Sequence, residues 1–188
     1  MSVLQPDEQT AAGAIRATFE RVLSEGLKPE SVTGASDEQI DAMAAEQGAA
    51  GVPAAAREVL RLIGVNHGLW LAGSSLGVSA VGAKSKKNAL ATLAQLDDNP
   101  LGDAEGMLVL TEHQSYTYHV VDGTDVNQAD PSVRGITEGE GVVKYWPSVT
   151  NWFENIEPGV KKYRSRLRLM RQIGDTSTPP WAEHINLD

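Results

Sequence analysis

The stretch Gly77-Val78-Ser79-Ala80-Val81-Gly82-Ala83-Lys84-Ser85 comes nearest to a reactive motif. A phosphate-cradling loop needs Lys directly after its second glycine and Ser or Thr next, so that backbone N–H groups wrap one phosphate while the ammonium reaches the terminal ones. Ala83 moves Lys84 one place too far along, and no apolar run long enough for a buried strand leads into the loop. The residues then read as a flexible loop and the N-cap of a helix. His113 and His119 flank a turn, with Glu112 adjacent. Two imidazoles and a carboxylate form a zinc site when a hairpin brings them together. If His119 shares a strand face with Thr117 and Val121, the direction of His113 stays open, and a surface or half-buried polar histidine is the plainer reading. His67 and His184 stand alone, no serine sits in a Gly-x-Ser-x-Gly elbow, and Asp97-Asp98 occupy an acidic turn with no sign of a pocket. No catalytic residue, metal site or cofactor is assigned.

What remains chemically distinctive is charge. The net charge is −9, and its distribution says more than its sum. From Asp97 to Glu157 twelve acids face two bases, Arg134 and Lys144, whereas Val160 to Ile173 carries six bases and no acid. Such an excess of negative charge repels nucleic acid and anionic membrane and attracts basic proteins. The plain alternative is that acids keep a protein soluble. Without cysteine the chain has no disulfide, thiol nucleophile or thiolate metal site. Met1 to Asp7 lack the pattern of an export signal, and no apolar run approaches the ~20 residues that span a bilayer, so a cytoplasmic protein is expected.

The 188 residues suffice for one domain with a buried core. Ala12, Ile15, Phe19, Val22 and Leu23 predict a helix over 8–25, closed by Gly26, before a linker at 27–35. Ser36 and Gln39 have capping-box spacing and open a second helix that buries Ile40, Met43 and Ala44. Pro53 suits the first turn of a third helix carrying Val59, Leu60 and Ile63. Residues 64–82 read as an irregular, glycine-rich loop with a short strand, and a fourth helix follows near 85–96. Met107–Thr111 and Ser115–Val121 predict a hairpin, with more strands at 132–137 and 141–146 and a closing helix through Trp152 and Phe153. Helices first, then a meander, then a helix: the order is that of an α+β fold. Val160 to Arg171 fits a basic amphipathic helix or one face of a strand, and Thr178-Pro179-Pro180-Trp181 reads as extended.

Several of these segments resemble the SUKH superfamily, which includes yeast cell-wall-synthesis regulators and many bacterial toxin-immunity proteins. The likeness rests on an acidic amphipathic helix from Ser36, on Val52-Pro53, Val59-Leu60 and Gly64, on Asp130-Pro131-Ser132-Val133 and on PSVTNWF at Pro147–Phe153. Ala56 stands where the family usually has an aromatic residue, and its paired glycine motif is spread over Gly64 to Gly68. The resemblance covers about residues 31–157, leaving 1–30 as an N-terminal helix and linker and 158–188 as a basic segment and tail. It implies a central, mostly antiparallel sheet packed by N-terminal helices and a closing aromatic helix, and a role in binding proteins.

The candidate contact residues, expected to form one acidic surface, are Asp97, Asp98, Asp103, Glu105, Asp122, Asp125, Asp130, Glu138 and Glu140, all in predicted turns, with Trp146 as a partly exposed anchor. The expected partner is a cognate protein toxin or another basic protein, and the expected function is that of an immunity protein without catalysis. An intracellular scaffold or regulator is the alternative. A nucleotide-dependent enzyme comes last.

Overall fold

The computed structural model describes residues 6–96 and 99–186. Helix α1 (Pro6–Ser24) is followed by α2 (Asp37–Glu46) and α3 (Ala54–Ile63). At the start of α2 the hydroxyl of Ser36 accepts the Gln39 N–H at 3.3 Å, and the Gln39 side chain accepts the Ser36 N–H at 2.9 Å, so two donors with no partner in the helix are satisfied together. Pro53 is the N-cap of α3, one position earlier than its sequence placed it. The glycine-rich stretch holds a two-residue strand, β1 (Ser75–Leu76), and leads to α4 (Ala83–Leu93). Strands β2 (Leu108–His113), β3 (Thr117–Val121), β4 (Val133–Thr137) and β5 (Gly141–Trp146) come next, before α5 (Val149–Asn155) and α6 (Val160–Gln172).

The five strands lie in sequence order, each antiparallel to its neighbour. This is an α+β fold. Both faces of β2 and β3 are covered, which explains why these strands read as almost unbroken apolar and β-branched runs. Leu108, Leu110, Val121, Val133 and Trp146 join the large core under α1, α3 and α5, while Val109, Tyr118, Val120 and Ile136 turn the other way, toward α4. Trp70, from the irregular loop, fills the gap between α1 and α5: its ring stacks between Phe19 at 5.7 Å and Phe153 at 5.4 Å. Gly77 shows why that loop needs glycine. Its φ is +113°, and a Cβ there would fall 2.3 Å from the Gly64 carbonyl oxygen.

The ends of the chain belong to the same core. Ile15 and Val22 of α1, Val160 of α6 and Ile185 of the tail all contribute to it. Residues 160–172, open to two readings in sequence, form a helix that buries Val160 and Leu167. The tail is tied down: Leu27 and Ile185 form an antiparallel bridge, Asn186 N–H donates to the Gly26 carbonyl at 2.7 Å, and Trp181 packs 5.0 Å from Tyr163.

Because β1 is so short, it pairs only with Thr111 and Glu112 of β2. Lower on that strand, at a register shift after Val109, the buried side chain of Gln47 substitutes for a neighbouring strand. Its oxygen accepts the Val109 N–H at 2.8 Å, and its amide donates to the carbonyls of Val109 at 3.1 Å and Val81 at 3.3 Å. Gln47→Leu leaves the Val109 N–H and C=O without partners in a dry core. A loss of roughly 2 to 4 kcal/mol in urea-induced unfolding is expected, and a change within error would show that the clamp is dispensable.

Candidate functional site

The loops at one end of the sheet, where β2 begins and β3 ends, are organised by a single carboxylate. Asp122 is 2% exposed. Its oxygens accept the N–H of Gly102 at 2.6 Å, of Asp103 at 2.9 Å and of Thr124 at 3.1 Å, together with the Thr124 hydroxyl at 3.0 Å. Arg134 of β4 approaches it at 4.0 Å while donating to the Pro100 carbonyl. Burial by itself pushes the Asp122 carboxyl up, but the ring of N–H donors outweighs it and holds the group below the ordinary carboxylate range. One side chain thereby locks the 99–106 loop to the short 3-10 turn Gly123–Asp125.

The acids expected to form one surface are divided by this topology. Asp103 and Glu105 are exposed on the locked loop, with Asp125 half-buried on the adjoining turn. Asp103 also accepts the Gly106 N–H at 2.9 Å, and Asp125 accepts the Gln128 amide at 2.7 Å. Asp130, half-buried at the same end, accepts the Thr150 N–H at 2.9 Å and helps to cap α5. Glu138 and Glu140 sit on the β4–β5 turn, at the opposite end of the strands, about 17 to 20 Å away by strand length. Asp97 and Asp98 lie outside the described residues. The single acidic surface read from the sequence is therefore corrected to a smaller one, because antiparallel pairing sends alternate turns to opposite ends of the sheet. Asp122 leaves the set as well, since a buried carboxylate with every near donor engaged has nothing to offer a partner. Behind the remaining acids Lys86 is buried, donating to the Met107 carbonyl; burial lowers its pKa, partly countered by Glu105 and Asp103.

Trp146 is likewise corrected. It is 9% exposed, and its ring meets His119 edge-on at 4.8 Å, within the core rather than on the surface. It lines an open groove of about 610 Å³ with Leu71, His119, Lys144, Asn155 and Ile156. On the neighbouring strand Gly135 packs close to these residues: a Cβ there would fall 2.9 Å from that of Lys144. His119 accepts the Trp152 indole N–H on Nδ1 at 3.1 Å, which leaves the neutral ring's proton on Nε2. Burial first, then Lys144 and His113, lowers its pKa to about 4.

His113 opposes Thr117 and His119 opposes Thr111, so both imidazoles are on one face, while Glu112 pairs with Tyr118 on the other. Strand alternation thus keeps the carboxylate out of any shared site, and among the described residues no three His, Cys, Asp or Glu come together as metal ligands. Sequence reasoning missed one contact: the Ser74 hydroxyl lies 3.0 Å from His113 Nδ1. That pair ties β1 to the end of β2 and is a nucleophile–base contact in form. Nothing between Ser74 and His113, 39 positions apart, signals it in the sequence. Lys84 is exposed on α4, and the Glu46 carboxylate sits 2.8 Å from where a Gly82 Cβ would be, at the helix N-terminus a phosphate would need.

No protein-family model matches the chain, nor does any curated protein or solved structure. No helix among the described residues is long and apolar enough to cross a membrane.

A neutral buried His119 binds its proton less readily folded than unfolded, so stability is fullest above about pH 6.5 and falls as pH drops toward about 4. The loss amounts to roughly 3 kcal/mol. His119→Gln, which keeps an acceptor for Trp152, should flatten that slope in denaturant melts at stepped pH. An unchanged slope would assign it elsewhere. Asp122→Asn should cost roughly 2 kcal/mol at neutral pH. In the parent chain that contribution persists above the unfolded carboxyl value near ~3.9 and disappears as pH falls through the lower folded value. Faster hydrogen exchange at Gly102 and Asp103 would report the loosened loop.

Proposed function

We propose that this chain is a non-catalytic protein-binding domain, an immunity-type protein of the SUKH kind that neutralises a basic cognate toxin in the cytoplasm. The observation that carries the reading is the Asp122 lock: Asp103, Glu105 and Asp125 are presented on a loop pair already fixed in place. A surface ordered before binding avoids the entropy cost of ordering it on contact, and its charge speeds the approach of a basic active-site cleft. The element order supports the family resemblance, with an acidic capped helix, Pro53 opening α3, Asp130-Pro131 leading to β4, and Trp152-Phe153 in the closing helix. The nucleotide-enzyme reading finds no support, since Glu46 occupies the N-terminal approach to α4 with charge of the wrong sign. A second reading, an intracellular scaffold, draws on the exposed basic face of α6, which gives the protein two surfaces of opposite sign.

Co-expression with the product of the adjacent gene tests the proposal. The expected result is protection of the host cell and a stable complex. The triple variant Asp103→Asn, Glu105→Gln, Asp125→Asn, which keeps the oxygens that accept from Gly106 and Gln128, should weaken that complex about tenfold or more, mainly through the association rate, with little change in melting temperature. Undiminished protection by the triple variant would remove these acids from the interface. Co-purification with several host proteins, none of them a toxin, would favour the scaffold.

A further inference from the structure

Helix α6 has an outer side that nothing described covers. Val160 and Leu167 face inward, and Tyr163 packs on Trp181. On the other side Lys162, Arg166, Leu169 and Ile173 follow each other at helical spacing, so they form one stripe toward solvent. Leu169 is 58% and Ile173 73% exposed, large apolar side chains one turn apart. Of the six bases, Lys161 pairs with Glu25 at 2.9 Å, Arg164 donates to the Glu25 carbonyl at 3.3 Å, and Arg166 lies 5.8 Å over the Trp181 ring. Lys162, Arg168 and Arg171 are exposed and have no ion pair among the described residues. An open cleft of about 680 Å³ flanks the start of the stripe, between Glu154, Asn155 and Gly159 on one side and Lys162, Tyr163 and Arg166 on the other.

This helix does not serve the acidic end of the sheet. The N-terminal part of α1, near Asp7, borders Asp130 and Ser148, whereas Glu25 just beyond its other end holds α6. The length of α1 lies between them, a span of ~27 Å.

We propose that the outer side of α6 docks an acidic amphipathic helix of a partner protein, a surface separate from the toxin-facing loops. Charge complementarity selects acids, and the two apolar residues between the cations select a partner that also brings apolar side chains. A nucleic acid would satisfy the bases but leave Leu169 and Ile173 wet, and a net charge of −9 opposes its approach. A membrane needs a broad apolar face, and here two residues supply it. A second copy of α6 would set six bases against six, and the Asp103–Glu105 loop of another copy has no large exposed apolar residue to meet Leu169.

The full-length protein would be titrated with a fluorescent synthetic helix of about 21 residues, three heptads with Leu at the seam positions and Glu on either side. A scrambled peptide of equal composition, a DNA duplex and phosphatidylserine vesicles are titrated in parallel. The seam-patterned peptide should bind about tenfold more tightly than its scramble, and more tightly than the duplex or vesicles. Leu169→Glu with Ile173→Glu should abolish that preference while circular dichroism and the melting temperature stay unchanged, because both side chains face solvent. No binding, equal affinity for the scramble, stronger binding to the duplex or vesicles, or protein self-assembly that excludes the peptide would each overturn the proposal. The toxin complex above is assayed separately, so either proposal can fail alone.

Discussion

Burying both faces of the central strands β2 and β3 removes water from them, and every backbone group there must then find a partner within the protein. The strain of that requirement is greatest on β2, whose outer neighbour is only two residues long. Gln47 meets it with a side-chain amide, which carries a donor and an acceptor in the same arrangement as a peptide group. Its third contact, to the Val81 carbonyl, joins the end of α2 to the approach to α4. The two cores on either side of the sheet are therefore held in register by a residue that belongs to neither strand nor apolar cluster. A half-satisfied version of this network would be worse than none, since the low dielectric that strengthens each bond also penalises each orphan.

Asp122 applies the same logic at the end of the sheet, with a charge in place of an amide. A carboxylate surrounded by N–H donors compensates its own desolvation and, in doing so, fixes two loops that would otherwise move independently. The outcome is a protein with polarity: pinned acids at one end, and beyond the far end of α1 a helix of bases braced by Glu25 and Trp181. His119 adds a third kind of buried polar group, held neutral first by burial and then by Lys144 and His113, while its Nδ1 accepts from Trp152.

The elements themselves were legible in the residues. The Ser36–Gln39 box, the Leu-rich stripe of α4 and the β-branched runs of β2 and β3 each carry a local pattern that only one backbone conformation satisfies. The candidate surface was legible in part. Residue type marks the turn acids as an exposed class but does not say which turns share an end of the sheet, and Glu138 lies at the far end from Asp103. Trp146, next to Pro147, looked like an anchor because sequence position hides which face of β5 it occupies. The contact between Ser74 and His113 left no trace, since neither flank carries a motif.

What the sequence by itself determined is whatever depends on neighbours a few positions away: helix caps, strand periodicity, the α+β order and the separation of acidic from basic segments. Only the tertiary structure decided which acids are buried staples and which reach solvent, that Gln47 completes a sheet, and that the end of α6 turns Leu169 and Ile173 outward. The physical reason is range. Propensity and capping act through bonds closed within a turn or two of chain, whereas burial and electrostatics depend on groups brought together from Gln47 and Val109, 62 positions apart, or Asp122 and Gly102, 20 apart.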